Sequence, residues 1–258
     1  MATALPKEIA IEQYNELLRM PFSAQEDIRM KSWRLRSAQK TNPTDPVINA
    51  TLLLSYFMSG EAESANTQAD YMYGFRDSFD QSIASIYAQL LVELGRYERC
   101  QSYVKELANQ SDKPLDALFF PTLIHSVWAS GRLKQDLPDF VSSPEGDESS
   151  TSEYMPLFLE RLESANLVSA FEAYMKSVNS VLDGYQCGIT TALRRYEEGP
   201  PELVVESYTN EPRARRRELE NRIDAAVADN PIETMGASDP IITVCVHDIR
   251  AHPPLDVR

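Results

Sequence analysis

Apolar residues fall at helical spacing along most of the first half of the chain. Between Asp80 and Gln110, Ile83, Ile86, Tyr87, Leu90, Leu91 and Leu94 mark one helical stripe, Gly95 interrupts it, and Tyr97, Cys100, Val104 and Leu107 mark a second. The pattern predicts a helical hairpin. The same arrangement surrounds Gly60, 35 residues earlier, and Gly131, 36 residues later, which predicts a stacked array of such hairpins. A first, degenerate unit is aligned with Glu26 at the turn position.

Four columns carry the repeat. Eight residues before the turn stand Leu18, Leu52, Tyr87 and Leu123, and four before it Phe22, Tyr56, Leu91 and Val127. Two after it stand Ile28, Ala62, Tyr97 and Leu133, and nine after it Leu35, Ala69, Val104 and Phe140. An apolar stripe too wide to bury within one hairpin must be covered by the next, so the units are expected to stack, with small residues such as Ala65, Ala69, Ala88 and Cys100 allowing close approach.

With Gly95 at the turn, Tyr97 two residues later, Ala65 and Cys100 in a small-residue column and Pro43 closing a unit, residues 5–141 resemble the tetratricopeptide repeat family. Lys31 and Asp136 depart from the small-residue column, Pro114 closes the third unit two residues late, and Pro21 falls where a helix should continue. The resemblance implies a concave surface lined by the first helix of each unit, exposing Leu54 and Phe57, Gln89 and Val92, and His125 and Trp128. An apolar trough of that kind either holds a segment of a partner protein or is filled by another part of the same chain. Trp128 also fits as plain core.

The repeat pattern ends at Pro138. Residues 142–152 form an acidic, serine-rich stretch that reads as a linker. From 153 to 183, Leu157, Leu159, Leu162, Leu167, Val168, Phe171, Tyr174, Met175 and Val178 predict one long helix or two short ones that cap the array's last apolar stripe.

The periodicity then changes. Residues 189–196 and 202–208 read as strands joined by the turn Glu197–Pro201, Asn210 and Pro212 as the start of a helix carried by Leu219, Ile223 and Val227, and 240–249 as a third strand. The expected fold is mostly α, with about four hairpin units over residues 1–141, the linker, the cap, and a small α+β module of order β-β-α-β over 184–258 that docks on the array.

Charge narrows the choice of partner. The 258-residue chain carries a formal net charge of −14, with 14 basic against 18 acidic residues in 1–140 and 11 against 21 in 141–258. That balance disfavours nucleic acid and anionic membranes and favours basic or neutral partners. The one dense basic cluster, Arg213, Arg215, Arg216, Arg217 and Arg222, lies at the start of the predicted helix, where the macrodipole opposes positive charge. Pairing with Glu211, Glu218 and Glu220 accounts for the cluster, and so does an anionic ligand held by Arg213, Arg215, Arg216 and Arg217.

Cys100, Cys187 and Cys245 are far apart, and neither they nor His125, His247 and His252 have metal-ligand spacing, so no metal or cofactor is expected. With no basic, apolar leader and no run of ~18 apolar residues, the expectation is a cytoplasmic protein without membrane contact. No phosphate-gripping loop or nucleophile elbow is present.

The reading is a non-catalytic interaction scaffold, adaptor or chaperone binding a segment of another protein. The alternative is an acidic neutralising protein, immunity- or antitoxin-like, that covers a basic partner. A nucleic-acid-linked regulator using Arg213–Arg217, or an enzyme centred on His247 in the C-terminal module, would need features the sequence does not display.

Overall fold

The computed structural model describes residues 7–110, 119–133, 159–160, 162–185, 188–194, 202–232 and 241–252. The linker expected at 142–152 lies outside them, as does Cys187. The chain is mostly helical, with a three-stranded mixed sheet near its C-terminus.

The helices are α1 (Lys7–Arg19), α2 (Gln25–Thr41), α3 (Pro46–Met58), α4 (Ala62–Tyr73), α5 (Gln81–Glu93), α6 (Tyr97–Gln110), α7 (Phe119–Ser130), α8 (Val168–Leu182) and α9 (Arg213–Val227). Short 3-10 turns occupy Arg76–Ser78 and Ile249–Ala251. Start signals are local: Asp45 and Asp80 accept hydrogen bonds from the N–H groups of Ile48 and Ile83, and Pro46 opens α3.

Four helix ends are closed in the same way. Gly60, Gly95 and Gly131 have φ of 70°, 72° and 69°, and Asn166 has φ of 57°. In each case the N–H of the following residue reaches back five positions: Glu61 to Tyr56, Arg96 to Leu91, Arg132 to Val127 and Leu167 to Leu162. The turn residue itself bonds three positions back, which completes a Schellman closure.

The turn at Asn166 therefore splits the stretch 153–183, expected to cap the array, with the same closure as the three glycine turns. Leu162 and Met175 fill its apolar columns and are fully buried, and Val168 packs partly buried against the core. Asparagine hid the turn, since it is one of the few other residues that tolerate a left-handed backbone.

The first unit is shifted. Helix α2 already begins at Gln25, so Glu26 is inside a helix rather than at a turn, and Phe22 lies in the connection that Pro21 opens.

Helix α3 contacts both α1 and α5, and α5 contacts α7, so the odd-numbered helices follow one another as a layer. Helix α8 packs on α7: Trp128 and Phe171 meet edge to face with centroids 5.5 Å apart, and the Asn179 side-chain amide donates to the Ala129 carbonyl at 2.9 Å. Between α2, α3 and α4 a polar knot is buried. The Asn49 amide oxygen accepts from Gln39 (2.6 Å) and Gln68 (2.8 Å), while its amide nitrogen donates to the carbonyls of Pro43 and Asp45.

Strands β1 (Gly188–Arg194), β2 (Glu202–Thr209) and β3 (Ile241–Asp248) follow the expected β-β-α-β order. β1 pairs antiparallel with β2, with Ile189 opposite Ser207, and β2 pairs parallel with β3, with Thr209 opposite Asp248. The parallel pairing requires a crossover, which α9 supplies. Central strand β2 is buried at every position except Glu202 and Glu206; α9, with Leu219, Ile223 and Val227 buried, contacts α8 and β3, while β1 contacts α5 and α7.

The expected cap by Asn210 is not made: α9 starts after Pro212 without a side-chain cap. Asn210 instead closes on the Gly60 turn, where a Cβ would come within 2.8 Å of its own Cβ.

Candidate functional site

The apolar face expected to line an open trough is closed. Leu54, Phe57, Val92 and Trp128 are each at most 1% exposed, and Gln89 is partly buried. The side chain of His125 lies outside the described residues. The physical reason for the difference is the chain's own later segments: Phe171 of α8 meets Trp128, and the C-terminal module meets Phe57. Gly188, first residue of β1, lies so close to Phe57 and His252 that a Cβ there would sit 3.2 Å from each ring.

His252 follows the last 3-10 turn and inserts among three aromatic rings, with centroid distances of 4.3 Å to Phe22, 4.5 Å to Tyr208 and 5.5 Å to Phe57. Phe22, displaced from α1 by Pro21, is 1% exposed as a result of this packing. The array thus receives both the edge strand of the sheet and the chain segment that leaves it.

Glu93 fastens this contact. It closes α5, is 1% exposed, and accepts a hydrogen bond from the Ile189 N–H at 2.9 Å, with His252 Nε2 3.6 Å from the same carboxylate oxygen. A carboxylate at a helix C-terminus opposes the macrodipole, so its position serves the docked strand rather than the helix. In the equivalent position two residues before the turn, the other units carry Met58, Ala129 and Ser164. Glu93 is the residue that sequence reasoning missed, and a charged side chain where its sister turns are apolar or small was the available signal.

The arginine cluster divides. Arg216 donates to Asp248 at 2.9 Å and to the Glu211 carbonyl at 2.7 Å, tying the start of α9 to the end of β3. Arg250 completes a bidentate pair on Asp248, and chiefly these hydrogen bonds hold the Asp248 carboxyl well below the usual range. Arg215 pairs with Glu218 and donates to the Tyr185 hydroxyl at 2.8 Å. Arg213 and Arg217 are exposed and make no ion pair among the described residues. The four arginines proposed for an anion therefore do not converge, and two of them are structural.

His247 is partly exposed, 3.8 Å from Glu206, and the described residues contain no group of three metal-ligating side chains. Burial pushes the Cys100 thiol up to about 12, which makes it an inert core group.

An open site lies elsewhere. A cleft of about 1050 Å3 is formed by the N-terminal half of α4, the α5–α6 turn and the C-terminal half of α8. Leu94 and Leu182 are among its lining groups, and both are almost fully buried. The charged groups facing it are Glu63, Asp70, Glu98 and Asp183 against Arg96 and Lys176.

Arg96 is held by Asn66 at 2.6 Å and by Asp70 at 3.6 Å, Arg99 also pairs with Asp70, and Glu98 takes Arg132 at 2.7 Å. Glu63 and Asp183 are exposed with no ion pair among the described residues. The cleft offers hydrogen-bonding groups, an apolar base and, in Glu63 and Asp183, two carboxylates with no ion pair among the described residues. No helix is long and apolar enough to cross a membrane among the described residues.

Compared with known proteins, the chain matches no family model, no curated protein and no solved structure.

Proposed function

We propose that the protein is a non-catalytic interaction scaffold, built from a tetratricopeptide-like array, that holds a basic segment of a partner protein in the cleft between α4, the α5–α6 turn and α8. The observation that carries this reading is the division of surfaces. The apolar face around Phe57 and Trp128 is covered by the chain's own later segments, while this large cleft stays open with the unpaired carboxylates Glu63 and Asp183 on its lining. A cleft of that size exceeds what a single side chain fills and suits several residues of a peptide. The two unpaired carboxylates select against acidic segments by repulsion as much as they attract basic ones. The reading as an acidic neutralising protein differs only in what the bound partner does when free.

The test is site-specific photo-crosslinking in cells with a benzophenone side chain at Thr67 or Ser180 inside the cleft, or at Asp224 on α9. The expected result is one partner joined from both cleft positions and not from α9, and lost when Glu63→Lys and Asp183→Lys are combined. Equal recovery from Asp224, or recovery unchanged by the charge reversal, would overturn the assignment.

A further inference from the structure

Helix α2 is net basic in a chain that is acidic overall. Its 17 residues hold five basic and two acidic side chains in a chain whose formal net charge is −14. Ile28, Ser32, Leu35 and Ala38 bury one side against the core, and the other side presents Trp33, 67% exposed, and Met30, 53% exposed.

These are the most exposed of the large hydrophobic side chains among the described residues, and Trp33 lies one helical turn from both Arg29 and Ser37. Lys31 and Arg36 are engaged, with Glu16 and with Glu61 and the Tyr56 ring respectively. Arg29, Arg34 and Lys40 are exposed and make no ion pair among the described residues.

We infer that this face of α2 is a second docking surface, and that its occupant is an acidic peptide segment of a partner protein carrying a bulky apolar side chain. The apolar side chain covers Trp33 and Met30, and flanking carboxylates meet Arg29, Arg34 and Lys40. Charge decides the occupant. A basic segment would be repelled by the three unpaired cations, and a neutral one would leave them uncompensated beside a desolvated indole. Tryptophan and arginine are also the side chains that most often dominate binding energy at protein interfaces.

Tryptophan fluorescence reports directly on this face, because Trp33 is exposed and Trp128, the only other tryptophan, is fully buried. The probes are three blocked 12-residue peptides: one of glutamate with two leucines and a phenylalanine, one with lysine replacing every glutamate, and one with serine replacing the apolar residues. Titrated into the whole protein at 50 mM salt, the glutamate–leucine–phenylalanine peptide should shift the emission to the blue. Arg29→Glu with Arg34→Glu should weaken that binding at least tenfold, Trp33→Phe should abolish the shift, and raising the salt to 300 mM should weaken it severalfold.

All three substitutions are on the exposed side of α2, so unchanged circular dichroism separates lost binding from lost folding. Equal binding of the lysine peptide, no shift at millimolar peptide, or a blue shift that rises with protein concentration alone would overturn the inference. The last of these would give the face to a second copy of the chain.

Discussion

Replacing Glu93 by alanine probes the joint between the helical array and the sheet at its most buried polar point. The substitution removes the acceptor of the Ile189 N–H, a 2.9 Å bond between two residues at most 1% exposed. A hydrogen bond to a charged group contributes about 1.5–3 kcal/mol, and a buried donor left facing a methyl group keeps its desolvation penalty. Loss of the side-chain methylenes beside His252 leaves a small void worth about 1 kcal/mol more. Against this, removing a carboxylate from the C-terminal end of α5 returns about 0.3–1 kcal/mol.

The net expectation is a loss of about 2–3 kcal/mol, a large share of the ~5–15 kcal/mol that stabilises a typical domain. Glu93→Gln keeps an acceptor oxygen and loses only the charge, so it should cost about 1 kcal/mol. Urea unfolding followed by circular dichroism and by emission of the buried Trp128 measures both variants. Alanine within 0.5 kcal/mol of the parent, or glutamine as damaging as alanine, would refute the role given to this carboxylate.

Three further outcomes are expected. Gly131→Ala forces a Cβ onto a backbone at φ of 69° and within 2.5 Å of Met175 Cβ, so it should cost more than about 2 kcal/mol in urea unfolding; Asn166→Ala, strained only by its φ, should cost about 1 kcal/mol. Asn49→Ala removes all four bonds of the buried amide and leaves Gln39 and Gln68 bonded chiefly to each other, an expected loss of about 1–3 kcal/mol by the same assay. Because Asp248 is held below its ordinary value, its stabilising contribution is present above the unfolded carboxyl value near 4 and is lost as the pH falls through the folded one; Asp248→Asn should therefore flatten the stability profile below pH 4 and lower the plateau above it.

Much of the fold was legible because its signals are local. The glycines at 60, 95 and 131 stand at the turns where periodicity placed them, and the change to β-branched and aromatic runs after Gly184 gave the order of the C-terminal elements. The Asn166 turn was hidden because the expected glycine was absent, although Leu162, Val168 and Met175 repeat the apolar columns around it.

The site was far less legible. Helical periodicity shows which face of α3, α5 or α7 is apolar but not what covers it, and Phe57 and Trp128 pack against residues more than 40 positions away in the chain. The arginine cluster was equally ambiguous, since Asp248, the main partner of Arg216, follows it by 32 residues. The cleft was invisible for the same reason, because α4 and α8 are brought together only by stacking.

The packing of the chain's C-terminal segment against Phe22 and Phe57 is tested most directly by proton NMR of the whole protein with histidine and phenylalanine selectively labelled. With only three histidines, assignment is simple. His252 lies 4.3 Å from the Phe22 ring and 5.5 Å from the Phe57 ring by centroids, and against Gly188. One histidine should therefore show ring-current-shifted resonances with nuclear Overhauser contacts to both phenylalanine rings. Three histidines with random-coil shifts and no contact to either ring would contradict the account.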